Sequence, residues 1–294
     1  MNHTMGDWGQ PAPISFEEFL QELLSQPFGV LRNIFQVFHD LIKSHISEGY
    51  DEYPDDPESI HYLNYDCSRL FVDGSDQPFF ADRLFANRLV NLVKALKRGT
   101  QQNKIYLFEG PHGSGKSTFL NNLLMRFEQY ANTEEGHLFE TVWMLDRKTL
   151  GSFTKSEANQ FLDRLTVLLD EFEFSQNDLE EAKKSLLSAD EFIEIPCPSH
   201  DNPILMVPKN YRRAFFDDLL KDEAAKEKLF TDKEFEWVFR SSPCTICSSL
   251  YQALQSRLKD PLEVFRMLYA RPYQFNRRLG EGITVFNPGD KPLK

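Results

Sequence analysis

No run of about 18 apolar residues occurs in the chain, so the sequence offers nothing that would span a bilayer as a helix. Residues 1–13 are polar and lack the charged-then-apolar order of a secretory leader. A soluble, cytoplasmic protein is expected. Cysteine is scarce, with four in 294 residues, too few for the disulfide framework of a small secreted domain. Positive charge is also short: 33 Lys and Arg against 45 Asp and Glu leave a formal charge of −12. That balance argues against a chain whose main task is to coat nucleic acid or an anionic membrane, and neither is expected as a partner. No fixed-period repeat and no low-complexity segment is visible, which removes solenoids and propellers.

What is present suits a folded protein. Hydrophobic residues make up 41% of the chain and charged residues 27%, enough for two ordinary domains or one elaborated α/β domain. Phenylalanine recurs at helical spacing, as core packing requires. Ser15-Phe16-Glu17-Glu18 has the form of a capping box and predicts a helix over about 15–25. Pro27 suits the first turn of a second helix, whose apolar stripe is Phe28, Leu31, Ile34, Phe35, Phe38, Leu41 and Ile42. Residues 47–59, with Gly49, Pro54, Pro57 and clustered acids, read as an exposed connection. From Phe79 the spacing of Leu84, Phe85, Leu89, Leu92, Val93 and Leu96 predicts another helix, ended by Gly99. Cys67 reads as a small buried side chain. Residues 137–145 and 283–286 read as strands.

Residues 104–109, Lys-Ile-Tyr-Leu-Phe-Glu, form a strand-like run feeding a glycine-rich turn, and residues 118–130 have helical periodicity. Between them Gly110-Pro111-His112-Gly113-Ser114-Gly115-Lys116-Ser117 satisfies G-x-x-x-x-G-K-[ST]. In that motif glycines let backbone N–H groups turn inward around a phosphate, the helix N-terminus adds positive potential, and Lys116 neutralises β and γ oxygens. Ser117 is placed to hold Mg²⁺, and Thr118 follows in the first helical turn. His112 receives no catalytic role. The expected fold is an α/β P-loop NTPase with a parallel-sheet core, preceded by a helical region and carrying a zinc-bearing insertion. Such a core needs an acid at a strand end to organise Mg²⁺ and polarise water. Asp170 and Glu171, closing the apolar run Leu165 to Leu169, are the candidates, although the same residues also fit one face of an amphipathic helix.

Cys197-Pro198-Ser199-His200 and Cys244-Thr245-Ile246-Cys247 each place two residues between potential ligands. Together Cys197, His200, Cys244 and Cys247 supply the soft N/S set of a tetrahedral structural Zn²⁺ site. Taken alone, Cys244 and Cys247 also fit a redox pair. Lys209, Arg212 and Arg213, and Arg266, Arg271, Arg277 and Arg278, could reach phosphates or serve as surface charge.

With these motifs in place, the sequence resembles the PrkA family of serine protein kinases, whose N-terminal half is an AAA-type ATPase module. The likeness rests on the order of Phe16-Glu17-Glu18-Phe19-Leu20, Phe79-Phe80-Ala81-Asp82, the phosphate loop, Cys197-Pro198-Ser199-His200 with Leu205-Met206-Val207-Pro208, and Pro243-Cys244-Thr245-Ile246-Cys247. It implies ATP with Mg²⁺ at residues 110–117, a protein substrate phosphorylated on Ser or Thr, and assembly into a homo-oligomer. The expected organisation is a helical region (1–75), a P-loop core (76–150), an acidic helical insertion (151–195), a Cys/His zinc-binding insertion (196–250) and a helical and strand segment (251–294) that leaves the core incomplete. By the resemblance, the family's acidic strand, sensor positions and kinase-like region fall beyond Lys294. No H-R-D or D-F-G set occurs here. The competing reading is a regulatory module that holds nucleotide without turning it over. A metal-dependent nucleic-acid binder is disfavoured by the charge.

Overall fold

The computed structural model describes residues 11–56, 62–99, 104–150 and 192–285. Two compact units divide the chain. One gathers Met1–Pro27, Phe139–Lys226 and Val238–Pro272, and the other Phe28–Leu138, Glu227–Trp237 and Tyr273–Lys294.

The first unit carries a four-stranded sheet in the order β1-β4-β2-β3, built from β1 (Ile14–Ser15), β2 (Leu138–Asp146), β3 (Phe192–Pro196) and β4 (Leu268–Tyr273). β1 runs antiparallel to β4, with Ile14 opposite Ala270. β2 runs antiparallel to β3, with Val142 opposite Pro196 and Asp146 opposite Phe192. Helix α1 (Phe16–Ser25) follows β1 directly. Its start is the anticipated capping box: Ser15 Oγ accepts from the Glu18 N–H, and Glu18 accepts from the Ser15 N–H at 2.8 Å. Phe19 and Leu23, one turn apart, are fully buried, and the Phe19 ring meets Phe139 of β2 edge-on at 5.3 Å.

The second unit is helical. Its described elements include α2 (Pro27–Val30), α3 (Ile34–His45), α4 (Ser68–Phe71), α5 (Arg83–Lys97) and α6 (Lys116–Ala131). The single helix expected from Pro27 is broken at residues 31–33, because the Asn33 side chain accepts from the N–H groups of Phe35 and Gln36 and starts α3 afresh. The helix expected from Phe79 likewise begins at Arg83, where the Asp82 carboxylate caps the Phe85 N–H at 2.7 Å. Gly99, at φ 77°, follows its C-terminus as expected. α3, α5 and α6 share one core, which includes Ile42, Phe71, Leu89, Val93 and Phe119, with Cys67 buried among them.

The parallel-sheet NTPase core is not what the chain forms. Residues 104–109 join no sheet, and Ile105 and Leu107 are 97% and 78% exposed, whereas the strand feeding a phosphate loop in such a core is buried on both faces. Among the described residues the sheet belongs to the first unit, only the end residues Leu138 and Tyr273 falling in the second, and both registered pairings are antiparallel. An apolar run in sequence is compatible with a strand but does not supply the neighbour that would pair with it. Residues 283–285 are also not a strand. Asp170, Glu171 and nearly all of the segment 151–195 lie outside the described residues.

Candidate functional site

The metal candidates converge in the first unit. β3 ends at Pro196, and the next residue, Cys197, donates its N–H to Thr141 O of β2 at 2.9 Å. The chain then turns tightly: the His200 N–H bonds Cys197 O, and His200 takes the left-handed conformation at φ 52°. Asp201 O accepts from both the N–H and the hydroxyl of Thr141 at 2.8 Å, which anchors the turn over β2. The second knuckle opens a helix, α7 (Thr245–Leu258), for which Cys244 is the N-cap residue. Its Sγ accepts from the Cys247 N–H at 3.4 Å, the role an oxygen usually takes. The Asp201 carboxylate reaches across and accepts from the Cys244 N–H at 2.6 Å.

As a result Cys197, Asp201, Cys244 and Cys247 place their ligand atoms within 4.8 Å of one another and could hold a metal ion. The geometry fits a tetrahedral ion. With Zn–S bonds of about 2.3 Å, the edge between two sulfurs is about 3.8 Å, and Cys197 Sγ stands 3.7 Å from Cys244 Sγ. Hydrogen bonds from the Cys197 and Cys247 thiols draw Cys244 well below the usual thiol range, while Cys197 is pushed up by the same pairing with Cys244. Burial, reinforced by the Cys244 sulfur, raises Asp201 to about 6. Trp143 on β2, 1% exposed, donates Nε1–H to Cys247 Sγ at 3.4 Å, a contact that would orient a ligating sulfur.

His200, the expected nitrogen ligand, is placed differently. Its Nδ1–H donates to Glu140 Oε2 at 2.7 Å, and Glu140 Oε1 accepts from Arg271, whose Nε lies at 2.9 Å. Arg271 also binds Glu194 at 2.6 Å. The fourth near-lying donor is Asp201, one residue along. No spacing rule marked it, because a C-x-x-H pattern draws attention to the histidine.

Arg212 and Arg271 are buried, so neither is surface charge. Arg212 is 1% exposed; its Nε donates to Val207 O, Nη1 to Val238 O and Ser241 O, and Nη2 to Leu205 O, all within 2.8 Å. Burial pulls its pKa down to about 10, which leaves it charged at neutral pH. It ties the segment after the first knuckle to the segment before the second. Arg277 pairs with Glu128 at 2.7 Å.

The phosphate loop lies in the second unit. Gly110, Pro111, His112, Gly113, Ser114 and Ser117 are exposed, and Gly115, Lys116 and Thr118 are partly so. Gly113 and Gly115 take φ 76° and 80°, conformations that disfavour a side chain. A Cβ on Gly115 would also stand 3.0 Å from the Phe79 ring. Gly115 caps α6, and Lys116, its first residue, folds back so that Nζ donates to Gly110 O at 2.7 Å and Pro111 O at 2.8 Å. Phe119, one turn on, packs against Phe79, Phe85 and Phe108, an aromatic base under the helix start.

No family model, curated protein or solved structure matches this chain. No described helix is long and apolar enough to cross a membrane.

Proposed function

We propose that the chain binds a nucleoside triphosphate, ATP with Mg²⁺, at residues 110–117 and acts on a protein substrate in the manner of the PrkA proteins it resembles. The observation that carries this reading is the placement of Lys116. Its ammonium is held by two loop carbonyls, at the N-terminus of a 16-residue helix, after glycines whose positive φ frees the backbone to turn. Phosphate oxygens would replace those carbonyls as partners for the charge, with Ser117 as the Mg²⁺ ligand. The cradle is local to the loop and helix start, and it requires no sheet beneath it. Titration of Mg-ATP into the full chain, with Lys116→Ala beside it, tests the reading. Saturable binding lost in the variant supports it, and equal affinity refutes it.

A second reading is that the nucleotide is held without turnover. It is favoured by the exposed course of residues 104–109, which join no sheet among the described residues and so supply no neighbouring strand to aim an acid at a γ-phosphate. Measuring ATP turnover with Glu171→Gln decides between the two. Turnover abolished by that change with binding spared identifies the acid, and no turnover in either form assigns a holding role or a chemistry completed by another chain.

We further assign Zn²⁺ to Cys197, Asp201, Cys244 and Cys247. Four protein ligands leave no open position for water, so the ion would supply folding energy rather than catalysis. A cytoplasmic, self-assembling protein is the setting this reading implies.

A further inference from the structure

The same cluster supports a modification site, and the inference rests on the metal reading only for what the ion does to it. Of the three clustered thiols, Cys244 is half-buried, whereas Cys197 is 1% exposed and Cys247 fully buried. Cys244 also stands at the N-terminus of a 14-residue helix, with the Cys247 N–H directed at its sulfur. Its sulfur meets that of Cys197, across the gap between the knuckles, at 3.7 Å. The C-x-x-C neighbour Cys247 has its sulfur engaged by the Trp143 indole N–H.

We propose that, in the metal-free chain, Cys244 and Cys197 are a peroxide-oxidisable pair that closes a disulfide across the two knuckles in place of the metal. In the first step Cys244 sulfur attacks hydrogen peroxide, the O–O bond breaks, and Cys244 becomes a sulfenic acid with release of one water. Cys197 sulfur then attacks the Cys244 sulfur and displaces the hydroxyl, which leaves as a second water with the thiol proton. Two thiols are oxidised by two electrons and one peroxide is reduced to two waters. From 3.7 Å the sulfurs must approach by about 1.7 Å to reach the S–S bond length. The link joins positions 47 apart in the chain, the same closure that the ion provides, so bound metal and disulfide exclude each other.

The test uses the full chain, stripped with a chelator or loaded with one equivalent of Zn²⁺, exposed to hydrogen peroxide, alkylated and mapped by mass spectrometry. The stripped chain is expected to fall from four free thiols to two, with a peptide linking Cys197 to Cys244, and dithiothreitol should restore all four. The zinc-loaded chain should keep its thiols over the same exposure. In Cys197→Ser a sulfenic-acid trap should label Cys244. A disulfide between Cys244 and Cys247 or between Cys197 and Cys247, the absence of any disulfide, or oxidation as fast with zinc bound as without it overturns the proposal. Failure of zinc to bind would instead refute the metal reading, while the linkage map of the stripped chain still decides the pair.

Discussion

Arg212→Met gives the sharpest stability test, because the consequence can be worked from four named hydrogen bonds. Arg212 is 1% exposed and donates to the carbonyls of Leu205, Val207, Val238 and Ser241. Methionine fills much of the aliphatic stem but donates to none of them. Each orphaned buried carbonyl costs about 1–3 kcal/mol. Taking the low end for four groups, to allow for entering water, gives a loss of about 4 kcal/mol, a large share of the about 5–15 kcal/mol that holds a typical domain. Arg212→Lys keeps the charge but concentrates it at one point, reaching fewer carbonyls, and should lose roughly half as much. Urea unfolding followed by fluorescence of the buried Trp143 reads both values. Because these carbonyls lie beside both knuckles, zinc affinity should fall in step. A loss under about 1 kcal/mol for Arg212→Met would show that the guanidinium is not what joins these segments.

Zinc at about 100-fold above its Kd should add about 2.7 kcal/mol to unfolding, and Cys244→Ser or Asp201→Ala should abolish that increment while His200→Ala keeps most of it. Retained zinc in the aspartate variant and loss in the histidine variant would restore the sequence-based ligand set. Phe119→Ala, which removes a ring packed among those of Phe79, Phe85 and Phe108, should cost about 3–5 kcal/mol by denaturant titration; a cost under 1 kcal/mol would mean that the aromatic base is dispensable. Burial alone would raise the Asp40 carboxyl, but hydrogen bonds from His39 and Arg32 outweigh it and hold the group below its ordinary value. That pairing contributes stability above the unfolded-state pKa near 3.8, and the contribution disappears as pH falls through the lower folded value. The stability gap between the wild type and Asp40→Asn should therefore be wide at pH 7 and shrink as the pH falls below 3.8, and a gap independent of pH would contradict the assignment.

Local features of the fold were legible where one short segment decides the outcome. Ser15 and Glu18 cap α1 through their own side chains, Gly99 takes the left-handed turn after α5, and β2 appears where the apolar run at 137–145 pointed. Cys67 is buried, and burial raises its thiol to about 11. What depended on distant neighbours was not legible. Residues 104–109 have the composition of a strand, yet pairing requires a partner distant in the chain, and they join no sheet. The break before α3 depended on Asn33 outcompeting a continuous apolar stripe. At the candidate metal cluster the three cysteines were visible from spacing, but the fourth near-lying group was set by the turn at His200, which directs the imidazole to Glu140 and brings the Asp201 carboxylate to Cys244. Nothing in a sequence distinguishes Arg212, with its four backbone acceptors, from the exposed arginine beside it.

The measurement that bears most directly on the proposed function is calorimetric titration of Mg-ATP and of Mg-tripolyphosphate into the full chain and into Lys116→Ala. Saturable binding of both ligands by the wild type at one site, with affinity in the variant lowered by 100-fold or more, is the expected result. Absence of binding, or equal affinity in the two proteins, would mean that residues 110–117 form a glycine-rich helix start and not a phosphate site.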